Sequence, residues 1–263
     1  MSCFARKELS KILYSIFTDY LPQIFAAGFK YTITLAIISF ILGLIIALVT
    51  ALVRISDKGG GFLIIKAIFR FYVWLFRSTP LLVQLFIIYF GLPYLKIPGL
   101  LPNGIKLAPF TAGIITFSLN TGAYASEIRA AIQSVPRGQW EAAASIGMNR
   151  GKTLRRIILP QALKVSIPPL SNSFIGLVKD TSLAASITIV EMFEVSQQIA
   201  AENYQPLIMS SLAALVYALF CSVLSWLQGW PTKQTFTQRR FRAGRRRESR
   251  SPGPWPCIPN TSC

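Results

Sequence analysis

Residues 31–53, YTITLAIISFILGLIIALVTALV, run for 23 positions without a charged side chain. A helix rises about 1.5 Å per residue, so this stretch is long enough to cross the roughly 30 Å of hydrocarbon in a bilayer. Only helices and closed barrels satisfy their own backbone in lipid, and the stretch lacks the apolar/polar alternation of a barrel strand. Four further runs, at 71–95, 107–126, 165–190 and 204–230, are similarly apolar. The fold expected is an all-α polytopic membrane protein with about five transmembrane helices. Composition agrees: 52% of the 263 residues are hydrophobic and the mean hydropathy is +0.49, more apolar than an ordinary soluble domain.

Lysine and arginine orient such a bundle, because cytoplasmic loops carry an excess of both. Arg54, Lys58, Lys66 and Arg70 follow the first run. Arg137, Arg150, Lys152, Arg155, Arg156 and Lys164 follow the third, and a basic tail follows the fifth. These three segments are expected in the cytoplasm. The loop between the second and third runs, with only Lys96 and Lys106, is expected outside. Arg6, Lys7, Lys11 and Lys30 pull against this arrangement at the N-terminus. The first run is too long for a signal-peptide core and is read as retained.

The net charge of +17 is carried mostly by those loops and the tail, so it reads as the positive-inside bias and attraction to anionic lipid, not as a nucleic-acid surface. No histidine is present, which removes His triads, His metal sites and His proton relays. Cys3, Cys221, Cys257 and Cys263 show no metal or redox spacing. No metal site and no catalytic set is expected.

The chain divides into an amphipathic lead-in at 1–30, a membrane domain at 31–230 and a basic tail at 231–263. Gly59, Gly60 and Gly61 form a turn after the first run. Ser39, Gly43, Ala47 and Ala51 recur at helical spacing, as do Ser210, Ala214, Ala218 and Ser222, and both stripes are expected to be helix contacts within the subunit. The tail is rich in arginine and then proline and is expected to be disordered. A regulatory extension and a shifted reading frame are its two explanations.

Residues 139–160, QWEAAASIGMNRGKTLRRIILP, form the most informative loop. Helix-forming residues from Trp140 to Ile146 lead to Gly147, which suits a left-handed helix end, and Asn149 is placed to cap a second helix. Leu154, Ile157 and Ile158 give that helix an apolar face, with Arg150, Lys152, Arg155 and Arg156 around it and Pro160 ending it. The run 147–153 is not a phosphate-binding loop, since three residues instead of four separate its glycines and no strand precedes it.

Glu141-Ala142-Ala143, three residues, Gly147, nine residues, then Ile157, Leu159 and Pro160 make up a recognisable signature. It resembles the cytoplasmic coupling loop of bacterial ATP-binding-cassette importer permeases, and the likeness extends over about residues 31–230, nearest the polar amino-acid permeases. It implies a pair of ATPase subunits that dock on Glu141, Ala142, Ala143, Gly147, Ile157, Leu159 and Pro160 and carry the ATP and magnesium. This chain would bind no cofactor. The resemblance also implies a second permease, identical or homologous, an external amino-acid-binding protein and a place in the bacterial cytoplasmic membrane. Alanines at 142 and 143 would let the ATPase approach the backbone, and Glu141 would meet a basic residue across the contact.

The same resemblance places the substrate pathway on Arg77, Asn172, Ser173, Lys179, Asp180, Thr181 and Ser182. Arg77 precedes Pro80, whose missing N–H frees the carbonyl of Phe76 and predicts a local break. Snorkelling to the cytoplasmic interface competes with a pathway role for Arg77. The Lys179–Leu183 sequence, KDTSL, is the strongest polar cluster in a membrane run, and a substrate ammonium is a suitable partner for a buried Asp180. Cation-selective relatives carry Glu where Ser173 stands, and the stretch 171–175, SNSFI, looks most like cystine permeases. At 126–131 one residue is missing relative to the family pattern, which puts Glu127 and Arg129 out of register.

Two other classes compete. A secondary transporter would show inverted repeats and discontinuous helices. A membrane-embedded enzyme would need a convergent nucleophile, base or metal set, and none is visible.

Overall fold

The computed structural model describes residues 16–55, 62–96, 104–124 and 131–248, and all regular structure among them is helical. Helices α1 (Leu21–Ala27) and α2 (Thr34–Ile55) merge through widened turns into one run, Thr18–Arg54. The lead-in expected at 1–30 is therefore continuous with the first span from residue 18 onward, because no proline or reverse turn interrupts 28–33. Gly28 allows a close passage here: a Cβ at this position would lie 2.7 Å from Met192 Sδ. The glycine turn at 59–61, Lys58, Glu127, Arg129, Cys3, Cys257 and Cys263 lie outside the described residues.

The second span is broken. Helix α3 (Phe62–Ser78) and the segment that begins with α4 (Leu81–Phe86) meet at 111°. Helix α5 (Pro109–Ala123) is 15 residues long, short of a full crossing, and residues 125–130 beyond it are not described. Two short helices, α6 (Arg137–Ser145) and α7 (Arg150–Thr153), precede the long α8 (Leu159–Asp180). A tight turn, Thr181–Ile187, extends α8, after which the chain bends by 49° into α9 (Met192–Asn203). Helix α10 (Pro206–Glu248) crosses back, its apolar part being Pro206–Gln228. Among the described residues, four of the five expected spans thus have a helix or bent pair of sufficient length.

Two expectations change. The chain does not leave helical structure at Pro231: the backbone of α10 stays helical to Glu248, and the expected disorder could begin only after that. Residues 232–248 contain no proline and are mostly Arg, Gln, Lys and other residues a helix tolerates. The two small-residue stripes also part company. Ser39, Gly43, Ala47 and Ala51 are buried, whereas Ser210, Ala214, Ala218 and Ser222 are exposed. The difference follows from partners: α2 packs most extensively against α5, while the α10 stripe lines an open cavity shared with Lys179 of α8 and Phe193 of α9.

Three apolar clusters hold these elements. Leu35, Leu85, Ala112, Phe117, Leu177 and Ile187 join the spans at the centre. Ile24, Met192, Met209, Val216 and Phe220 join α1, α9 and α10. Ala47, Ala51, Ile132, Val135, Ile158 and Ala162 tie the loop before α8 to the first span. The α2–α5 seam is the most extensive helix contact. A Cβ at Gly43 would lie 2.6 Å from Thr121 Cβ, and one at Gly122 would lie 2.6 Å from Ile46 Cγ2. Overpacking of this kind costs about 1–3 kcal/mol, so Gly43→Val is expected to lower the thermal midpoint of the purified protein by about 5 °C. Gly138→Ala, over open space, should leave the midpoint within a degree or so, as read by the same melt.

Candidate functional site

Residues 137–158, between α5 and α8, form a helical projection. Helix α6 ends in a Schellman motif: Gly147 adopts φ +74°, its N–H donates to Ala144 O at 2.9 Å, and Met148 N–H donates to Ala143 O at 3.0 Å. Asn149 then starts the next helix, its Oδ1 accepting from Lys152 N–H at 2.8 Å. Trp140, Leu154, Ile157 and Leu159 pack on the cluster that includes Ala47 and Ala51 of α2. Arg150, Lys152, Arg155 and Arg156 are exposed, as the helical spacing requires.

Glu141, Ala142 and Gly147 stand on the outer surface with Ile146, whose side chain is 74% exposed. Ala143 does not join them. It is 1% exposed and faces inward, because it lies one helical step from Ala142. Ile157 and Leu159 are half-buried and serve the base of the projection instead of its tip. Pro160 does not end a helix. Leu154–Ile158 is a widened turn, and Pro160 falls in the first turn of α8, where a missing N–H leaves no helical bond unmade. Helix α7 consequently runs on through the widened turn into α8, while α6 joins it only through the turn at Gly147.

At the break in the second span, Pro80 releases the carbonyl of Phe76 as expected. Gln84 answers it: its Nε2 donates to Phe76 O at 2.8 Å and approaches Thr79 O at 3.0 Å. Gln84 Oε1 accepts from Asn120 Nδ2 at 3.0 Å, which links the bend to α5. Arg77 is exposed at the elbow, with its guanidinium 5.3 Å from the ring centre of Tyr124 at the end of α5.

The polar segment of α8 divides between two faces. Lys179 and Ser182 line a cavity of about 830 Å³ against α10, together with Phe193, Tyr217 and Cys221. Asn172 lies on this side as well, its Oδ1 accepting from Gln228 Nε2 at 2.8 Å. Ser173 and Asp180 each follow one residue later and so point about 100° away. Asp180 is exposed on the surface of the single subunit. Thr181 is fully buried and donates to Val178 O at 2.7 Å, so it belongs to the packing.

Sequence reading missed Gln84, Asn120, Glu191 and Tyr217. Glu191 is fully buried at the start of α9, where its carboxylate accepts from Glu194 N–H at 2.9 Å and from the Tyr217 hydroxyl. The signal was the spacing from Glu191 to Glu194 at a helix start, hidden because Glu191 directly follows an apolar run. For Gln84 the signal was its place eight residues after a carbonyl that Pro80 leaves free.

Residues 60–235 match the family model described as "binding-protein-dependent transport system inner membrane component". The chain is 51% identical over 207 residues to the L-cystine transport system permease protein TcyB of Bacillus subtilis, covering 78% of this chain and 83% of that protein. It is 38% identical to the nopaline transport system permease protein NocM of Agrobacterium fabrum, covering 78% and 85% of the two chains. Among solved structures, one titled as an amino acid ABC transporter with histidines superposes with a TM-score of 0.73 at 30% identity, over 86% of this chain and 97% of that one.

Proposed function

Because this chain belongs to the family of binding-protein-dependent transport system inner membrane components, and is a transport subunit and not an enzyme, we propose that it is the permease of an ATP-driven importer of polar amino acids, with cystine the first substrate to try. The partners in this reading are a pair of ATP-binding-cassette subunits, which hold ATP and magnesium, a second permease and an external amino-acid-binding protein. The projection at 137–158 faces the cytoplasm and docks on an ATPase. Its exposed tip, Ile146 and Gly147, on a base packed against the first span, is the observation that carries the reading. Because α7 continues through Leu154–Ile158 into α8, displacement of the docked ATPase is passed to α8.

The break in the second span and the bend after Ile187 are discontinuities of the kind expected of a secondary transporter. They do not favour that rival, since the family of importers is the one that matches. Orientation is testable by side-specific labelling of a cysteine placed at Asn149. In intact cells a membrane-impermeant maleimide should leave it unlabelled, and the same reagent should modify it in inverted vesicles. Co-purification with an ATP-binding-cassette subunit should accompany that result. External labelling would remove both the topology and the docking assignment.

A further inference from the structure

The 17 residues of α3, Phe62–Ser78, include Lys66, Arg70 and Arg77 and no acidic side chain. At about 100° per residue the three cations fall within about 40° of one another, on one stripe. Ile64, Ile68 and Leu75 fall on the opposite side and are exposed. Between these faces the helix is held to its neighbours: the Tyr72 hydroxyl donates to Leu119 O of α5, and Val73 is buried. Trp74 is exposed on the other flank, beside the basic stripe. Orientation follows from the elbow. The segment that begins at Leu81 is bent by 111° from α3, so when it stands along the membrane normal, α3 lies about 20° from the membrane plane. A crossing α3 would instead separate Lys66 and Arg77 by about 16 Å in depth and leave one end of the stripe in hydrocarbon, where charge is costly.

We propose that α3 is not the first half of the second span but an interfacial anchor, which lies flat in the cytoplasmic leaflet and holds anionic phospholipid. The inference rests on the reading that places 137–158 in the cytoplasm. Lys66 and Arg70 meet lipid phosphates, and Ile64, Ile68 and Leu75 lie among the acyl chains, the arrangement by which a basic amphipathic helix binds a membrane surface. Trp74 sits at headgroup level, where its amphipathic ring is favoured. Arg77 continues the stripe at the elbow, over the ring of Tyr124. The occupant is set by charge: a row of cations with no acidic residue on its own helix attracts phosphatidylglycerol and its like more than zwitterionic lipid. Gln84, bonded to Phe76 and Asn120, keeps the elbow at the angle this requires.

Two measurements on the full complex in vesicles test this. After the native cysteines are replaced, spin labels are attached singly at Ile64→Cys and Leu75→Cys, and depth is read from collisions with oxygen against a water-soluble nickel chelate. The sites are about 16 Å apart along the helix, yet should differ in depth by only about 6 Å. A difference near the full separation would return α3 to the second span and overturn the proposal. Labels closed to oxygen would also overturn it, since protein would then cover the face. The second measurement reads the lipid. A fluorophore at the exposed position Ala67→Cys is quenched by spin-labelled phosphatidylglycerol or phosphatidylcholine in otherwise identical bilayers. Phosphatidylglycerol should be favoured by about fivefold for each basic side chain, and Lys66→Gln together with Arg70→Gln should remove most of that preference. Equal quenching by the two lipids beside the unaltered stripe would overturn the anchor. Unequal depths with Asn149→Cys labelled only from inside would remove the anchor and leave the permease reading standing. External labelling of Asn149→Cys would remove that reading and the leaflet assignment together.

Discussion

Gly147→Asp is expected to reduce uptake to background while the protein still inserts and accumulates in the membrane. The residue sits at φ +74°, where a side chain costs about 1 kcal/mol or more, yet nothing lies within 4 Å of the position a Cβ would take. Folding therefore changes little, and the new carboxylate projects from the tip proposed to meet the ATPase. Gly147→Ala separates the two effects, because it adds the backbone strain without the charge. It should keep most of the uptake, whereas Gly147→Asp should lose both uptake and the substrate-stimulated part of ATP hydrolysis. Normal uptake by Gly147→Asp, with the ATPase still bound, would show that the tip does not carry the ATP-driven displacement.

Asp180→Asn should lower the apparent affinity for the transported amino acid by about 10-fold to 100-fold, the range that loss of a hydrogen bond to a charged group implies. The side chain is exposed and the change preserves its size, so the quantity of assembled complex should be unaffected. This separates a substrate role from a structural one. A fall in assembly that parallels the fall in uptake would assign Asp180 to packing. Unchanged affinity with full assembly would place it off the pathway.

Much of this architecture is legible in local sequence because its causes are local. The uncharged stretch at 31–53 demands a spanning helix, Gly147 and Asn149 mark the end of one helix and the start of another, and Pro80 marks a break. What a break becomes depends on distant groups. The 111° bend is held by Gln84, which reaches back to Phe76 and across to Asn120 on another helix. Nothing within a window of the chain reports that pairing. The stripes show the same limit: Gly43 and Ala214 lie in equivalent patterns, but one is buried against α5 and the other is exposed. Periodicity identifies a face without saying what covers it. Pro160 was misread because a stop signal and a first-turn position use the same residue, and only the widened turn before it distinguishes them. In the polar segment of α8 the residue types were visible, but their division between the Tyr217 cavity and the Asp180 face required the helix to be placed beside α10.

The central claim is that this chain carries amino acids inward at the expense of ATP hydrolysed by a partner. Its most direct measurement is uptake of labelled cystine, glutamine and arginine into liposomes that contain the purified complex, with ATP and magnesium enclosed and the binding protein outside. Uptake of at least one of the three should require enclosed ATP, require the binding protein and persist after a protonophore and a sodium ionophore are added. Uptake that proceeds without ATP and collapses with the proton or sodium gradient would contradict the account.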